Sequence, residues 1–403
     1  MTLIRSLAYR PFALLWSGQT ISRLGDNLYR VALFWWAAQQ TESALATSII
    51  LFCTIAPMLL FVLIGGVTVD RFPRIPIMLA SDVIRGCIVI VIAVLAQYQA
   101  LEIWHIYIAS ILFGTVDAFF QPAFTAVLPE ITPAEILPSA NSLTTISQQA
   151  AAVIGALLGA TLVALVGTAF AFTLNGLSFF VSALCLLPLL RLSTAPTTDQ
   201  PATNILHDVR QGLSAVMSAP WLWITISIIA LGNITSSAPF TVALPFLVKE
   251  TLGAEINTFG LAQAMLSLGV VLGAVWLGRL RVIRRRGLMA YGAWLVSGLL
   301  TLAIGLPIGT LGIALASLLV GATTAAFSLI WINTLQQLVP REMLGRVSSI
   351  DYLGSFILLP LGYSVVGWAT DQLGAATVFV IGGALTMALA VLGLLHPAIR
   401  RLD

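Results

Sequence analysis

Two acidic residues sit inside stretches that are otherwise apolar. Asp26 stands about 15 residues into a first long apolar run, roughly 22 Å along a helix at 1.5 Å per residue. Gln19, Ser22, Arg23, Asp26 and Arg30 share one face of that helix. Asp117 stands about 14 residues into the fourth run, which crosses in the opposite sense, so the two acids reach similar depth. A charge held among hydrocarbon is costly unless it is paired or wetted, and such residues face a partner or a water-filled space. Arg23 and Arg30 against Asp26 and Asp117 sum to zero. Burial and a nearby arginine pull a carboxyl proton equilibrium in opposite senses. Two readings stand: Asp26 or Asp117 exchanges a coupling proton, or the four charges form a static network that fixes helix packing. Phe113, Phe120, Gln121 and Phe124 lie on the face of Asp117. An acid framed by aromatics suits an amphipathic substrate, cationic ones included; packing or lipid-facing phenylalanine is the plainer alternative. Asn233 is a mid-depth polar group about 13 residues into the seventh run, and Pro239 beyond it can kink that helix.

The rest of the inventory does not support an enzyme. His105, His207 and His396 fall in separate loops or ends, and no metal-ligand spacing or phosphate-binding glycine loop is present. No cofactor is expected beyond a proton gradient. Cys53, Cys87 and Cys185 lie inside apolar runs and read as small buried hydrophobes.

The elements that position these residues follow from composition. Of 403 residues, 59% are hydrophobic and 9% are charged, whereas soluble domains carry about 25% charged residues. That excludes a soluble enzyme, a disordered chain and a nucleic-acid binder. Apolar runs recur at 11–39, 43–69, 75–98, 103–128, 140–165, 168–190, 220–246, 257–280, 287–306, 310–335, 349–370 and 374–395. Each is long enough to cross a bilayer as a helix. The expected fold is an all-α membrane protein of twelve transmembrane helices in two six-helix bundles, 1–190 and 220–403. The linker, 191–219, carries apolar residues at helical spacing and reads as an amphipathic helix on a membrane surface.

Fifteen arginines fall in loops on one side and Lys249 alone on the other. The positive-inside rule then places both termini in the cytoplasm of a multi-pass cytoplasmic-membrane protein. The halves also repeat. Gly65-Gly66-Val67 before Arg71 returns as Gly273-Ala274-Val275 before Arg279, and Pro133 to Leu137 returns as Pro340 to Leu344, at offsets of 208 and 207. Repeated halves are typical of secondary transporters.

The segment Gly66-Val67-Thr68-Val69-Asp70-Arg71-Phe72-Pro73-Arg74 resembles the signature of the major facilitator superfamily. The chain is also similar to one branch, the third drug:proton antiporter group, which includes macrolide and siderophore exporters. Trp16-Ser17-Gly18-Gln19 with Gly25-Asp26, Phe120-Gln121-Pro122-Ala123 with Leu128-Pro129-Glu130, Ala140-Asn141-Ser142-Leu143, and Leu338-Val339-Pro340 with Gly345-Arg346-Val347 carry that likeness along nearly the whole chain. Pro73 departs from the usual glycine, and Gly155 to Gly159 lacks the proline of the antiporter motif.

The resemblance implies a cytoplasmic gate formed by Gly66, Asp70, Arg71 and Arg74, with Asp82, Arg85, Arg346 and Asp351 as candidate partners. It places Asp26 and Asp117 within reach of one central space. It implies proton-coupled efflux of a small amphipathic compound of the drug or siderophore class by a monomer in the lipid bilayer, without nucleic acid. The alternatives are uptake or facilitated movement of a metabolite or lysolipid without antiport, and a receptor or scaffold with a transporter fold.

Overall fold

The computed structural model describes residues 3–133, 135–192, 205–278 and 285–402. Apolar segments in hydrocarbon must satisfy every backbone N–H and C=O internally, and helices do so within one segment. The described residues accordingly form helices and no strand: α1 (Arg10–Thr41), α2 (Ala44–Arg71), α3 (Arg74–Gln97), α4 (Ile103–Ile131), α5 (Leu137–Leu165), α6 (Thr168–Leu186), α7 (Ile205–Ser218), α8 (Pro220–Gly232), the short α9 (Ala238–Val242) and α10 (Leu244–Phe246), α11 (Ile256–Gly278), α12 (Arg286–Ile304), α13 (Gly309–Leu338), α14 (Arg341–Phe356), α15 (Leu359–Leu373), α16 (Ala375–Leu395) and α17 (Pro397–Arg400). Eleven spans among the described residues are long and apolar enough to cross a bilayer. α1 is the twelfth. Its 32 residues are ample, and Arg23, Asp26 and Arg30 lower its apolar character. Many large apolar side chains along the spans, such as Leu60, Val91, Leu184 and Leu392, face outward, as a lipid-contacting surface requires.

Two units arise, Met1–Glu42 with Ile49–Asp199, and Ser43–Ser48 with Gln200–Asp403. The second unit takes the start of α2 because Asp371 on α15 accepts hydrogen bonds from Ser43 Oγ (2.7 Å) and from the backbone N–H groups of Ala44 (2.6 Å) and Leu45 (3.1 Å). A carboxylate there satisfies orphan donors and complements the helix dipole.

The sequence repeat has a packing counterpart in each unit. A Cβ on Gly65 would meet the Ala118 carbonyl oxygen at 2.2 Å, and one on Gly273 would meet the Ala322 carbonyl oxygen at 2.5 Å. Glycine at the repeated position lets α2 lie against α4, and α11 against α13, at backbone contact.

Two spans of the second unit are irregular. α8 passes at Asn233–Ser237 into a π turn just ahead of Pro239, and a second π turn covers Leu247–Thr251. Proline removes an intrahelical donor, and the chain relieves the mismatch by widening one turn. The expected run at 349–370 starts earlier, at Arg341, and breaks between α14 and α15 ahead of Pro360. Charged Arg341 and Arg346 hide that first part from a hydropathy reading. α7 forms, and part of its apolar face is committed to protein: Val216 is buried with Leu222, Ile226, Leu335, Val339 and Val347. A Cβ on Gly212 would meet Ile350 and Arg346. Leu213 and Met217 on the same helix stay exposed. Cys87 is exposed rather than buried, and all three cysteines are free.

Candidate functional site

The site in the first unit is built from small residues first. A Cβ on Gly18 would lie 2.9 Å from Cys185 Cβ and 3.1 Å from the Ser182 backbone, so glycine lets α1 approach α6 closely. Gln19 therefore reaches Ser182, its Nε2 donating to Oγ at 2.9 Å. Ser182 donates to Asp82 Oδ2 at 2.7 Å. One turn on along α3, Arg85 Nη2 donates to Asp82 Oδ1 at 2.6 Å, while Nη1 reaches Asp117 Oδ1 on α4 at 3.2 Å. Four helices thus converge on one hydrogen-bonded chain. The Asp82 and Arg85 side chains are 0% and 3% exposed, and that of Asp117 is 18% exposed. A buried ion pair of this kind holds only when geometry and further hydrogen bonds offset desolvation.

This places Asp82 and Arg85 elsewhere than the gate to which the sequence reading assigned them. Arg85 lies eleven residues into the 24-residue α3, about 16 Å from its start, and its partner is Asp117. The i,i+3 pair was legible in sequence; its depth was misjudged because the charged loop before it drew the assignment.

The aromatic residues around Asp117 also have occupants. The Arg85 guanidinium carbon lies 3.9 Å from the Phe120 ring centre, 4.7 Å from Phe179 and 5.7 Å from Phe113. Arg23 lies 5.1 Å over Phe124, and Phe120 stacks parallel on Phe124 at 6.2 Å. These rings therefore cradle the protein's own cations, and Phe124 with Arg23 and Gln19 also lines a cavity between α1, α4 and α5. Phe179 and Ser182, on an α6 without charges, were missed; the only sequence signal was their helical spacing. Gln121 is exposed and donates to Asp117 Oδ1 at 3.3 Å. Asp26 is half-buried and makes no ion pair or hydrogen bond among the described residues, within electrostatic reach of Arg85, Asp117, Arg30 and Arg23. Arg30 is exposed.

In the last two turns of α2, Gly66 has open space where a Cβ would stand, and Arg71 is exposed. The Asp70 side chain lies outside the described residues. Arg74 binds Glu130 Oε2 at 2.8 Å and the Ala126 carbonyl at 3.4 Å, tying the start of α3 to the end of α4.

In the second unit, Asn233 Nδ2 donates to the Ser355 carbonyl at 2.9 Å. That carbonyl lies beside the break between α14 and α15, so the π turn and the helix break support each other. Asp351 accepts from Trp331 Nε1 at 3.1 and 3.2 Å. Arg346 reaches Gln211 on α7 and Met343 Sδ. Arg346 and Asp351 therefore have separate partners inside their own unit.

A family profile described as transmembrane secretion effector matches residues 3–403. Macrolide efflux protein A of Streptococcus pyogenes is 22% identical, over 97% of this chain and 97% of its own. The enterobactin exporter EntS of Shigella boydii serotype 18 is 28% identical, over 83% and 81%. In structure, the chain is similar to a bacterial homologue of the iron transporter ferroportin in its inward-facing state, with a TM-score of 0.73, 14% identity and coverage of 98% and 100%.

Proposed function

The chain belongs to the transmembrane secretion effector family of the major facilitator superfamily, and from that premise we propose that it exports a small amphipathic compound in exchange for protons. It is a multi-pass transporter, not an enzyme. We read its place as the cytoplasmic membrane with both termini inside, from the loop arginines, and its cycle as alternating access. The relatives' activities, macrolide efflux and enterobactin export, favour the drug or siderophore class as cargo.

One observation carries the coupling. Asp117 is a mid-helix carboxylate that keeps partial exposure while touching a buried arginine. Such a group can take a proton from water and pass the change in charge to a packed helix. Asp26 is the second candidate, in reach of the same charges. Gly66, Asp70, Arg71 and Arg74 are read as the cytoplasmic gate, with the Arg74–Glu130 pair anchoring it.

The test is flux in liposomes holding the purified protein, with an imposed pH gradient and panels of macrolides and catecholate siderophores. Flux that follows the gradient and disappears in Asp117→Asn or Asp26→Asn supports the reading. Gradient-independent flux of a metabolite or lysolipid favours facilitated movement instead. Binding without flux points to a receptor.

A further inference from the structure

The buried triad treats its two carboxylates unequally. Both oxygens of Asp82 are satisfied, Oδ1 by Arg85 at 2.6 Å and Oδ2 by Ser182 at 2.7 Å, and Gln19 secures Ser182 in turn. Asp117 receives both of its hydrogen bonds on Oδ1, from Arg85 at 3.2 Å and Gln121 at 3.3 Å. Its Oδ2 has no protein donor among the described residues. Phe120 and Phe179 close on the guanidinium between the two acids.

Building on the proton-coupled reading above, we propose that Asp82 is the permanent counter-ion of Arg85, a positioning residue that leaves Asp117 free to exchange its proton. A proton from water adds to Asp117 Oδ2, and the carboxylate becomes a neutral acid. The Arg85 hydrogen bond to Oδ1 weakens, and Arg85 remains neutralised by Asp82. No step leaves a buried guanidinium without a counter-charge, a state that breaking a buried pair makes strongly unfavourable. A planar fork can serve two carboxylates at once, which an ammonium cannot do with the same geometry. The other charges acting on Asp117 are Arg23 and Asp26 on α1, and Arg30 acts in turn on Asp26. α6 contributes Ser182 and no charge, while α2 carries Asp70 and Arg71 in its last turn.

The experiment is an infrared titration of carboxyl stretching in the purified full-length protein in nanodiscs, without substrate. In the parent protein a titrating carboxyl band is expected that Asp117→Asn removes. In Asp82→Asn, Arg85 has only Asp117 left, so the midpoint of that band should move to lower pH, about tenfold in proton affinity or more. In Arg85→Lys the ammonium stays with Asp82, and the midpoint should move to higher pH. The second variant retains the charge and keeps the test open should the first fail to fold. Midpoints unmoved in the variants that fold, or a band that survives Asp117→Asn, overturn the proposal. Flux measured separately distinguishes the premise: bands that shift as stated in a protein whose flux ignores the pH gradient sustain the role of Asp82 and sink the coupling reading.

Discussion

The two units solve the same problem of burying polar groups in different ways. The first places an ion triad, Asp82–Arg85–Asp117, in the middle of regular helices. The second joins neutral groups: Tyr291 donates to Thr225 at 3.0 Å, Thr235 and Thr386 hydroxyls lie 2.8 Å apart, and Asn233 reaches the Ser355 carbonyl. Its helices are irregular, with π turns and a break. The contrast teaches a division of labour. In the first unit the charges are gathered in one bonded cluster, while the second relies mainly on neutral hydrogen bonds beside its irregular turns, with the acid Asp351 held by the Trp331 N–H.

The sharpest way to break this comparison is Asp117→Asn, expected to abolish pH-driven flux while the protein elutes from a sizing column like the parent. Retained pH-driven flux would remove the first unit's special status. Next in size, Arg85→Met leaves Asp82 buried and unpaired, and should cost about 3–5 kcal/mol of stability. Pairing it with Asp82→Asn should restore part of that loss, read by thermal unfolding in detergent.

Smaller effects are expected in the second unit. Asn233→Leu leaves the Ser355 carbonyl without its side-chain donor and should cost about 1–3 kcal/mol, without moving the pH profile of flux. A moved profile would mean that this unit also takes part in coupling. Tyr291→Phe removes one neutral hydrogen bond and should cost about 1 kcal/mol, by the same unfolding measurement.

Much of this was legible in the residues. Long apolar runs, arginine-rich loops on one side and the return of Gly65 as Gly273 marked a repeated membrane transporter, because hydrocarbon imposes helices and helices of fixed length. Asp26 and Asp117 were legible as costly charges in apolar surroundings. The role of Phe120 was not, since a ring's spacing does not say whose cation it covers. Nor was the start of α14, because Arg341 and Arg346 break its apolar pattern while leaving its backbone hydrogen bonds intact.

What the sequence by itself determined is the succession of membrane-spanning helices and two of the intramembrane acids, Asp26 and Asp117. Those follow from transfer free energies, which act residue by residue. Which carboxylate Arg85 holds firmly and which it holds loosely was decided only by tertiary structure. Asp82, Arg85, Asp117, Ser182 and Gln19 come from four helices, and their unequal bonds depend on how closely Gly18 lets α1 approach α6. Hydrogen bonding varies over tenths of an ångström, and helical periodicity alone does not specify distances between helices.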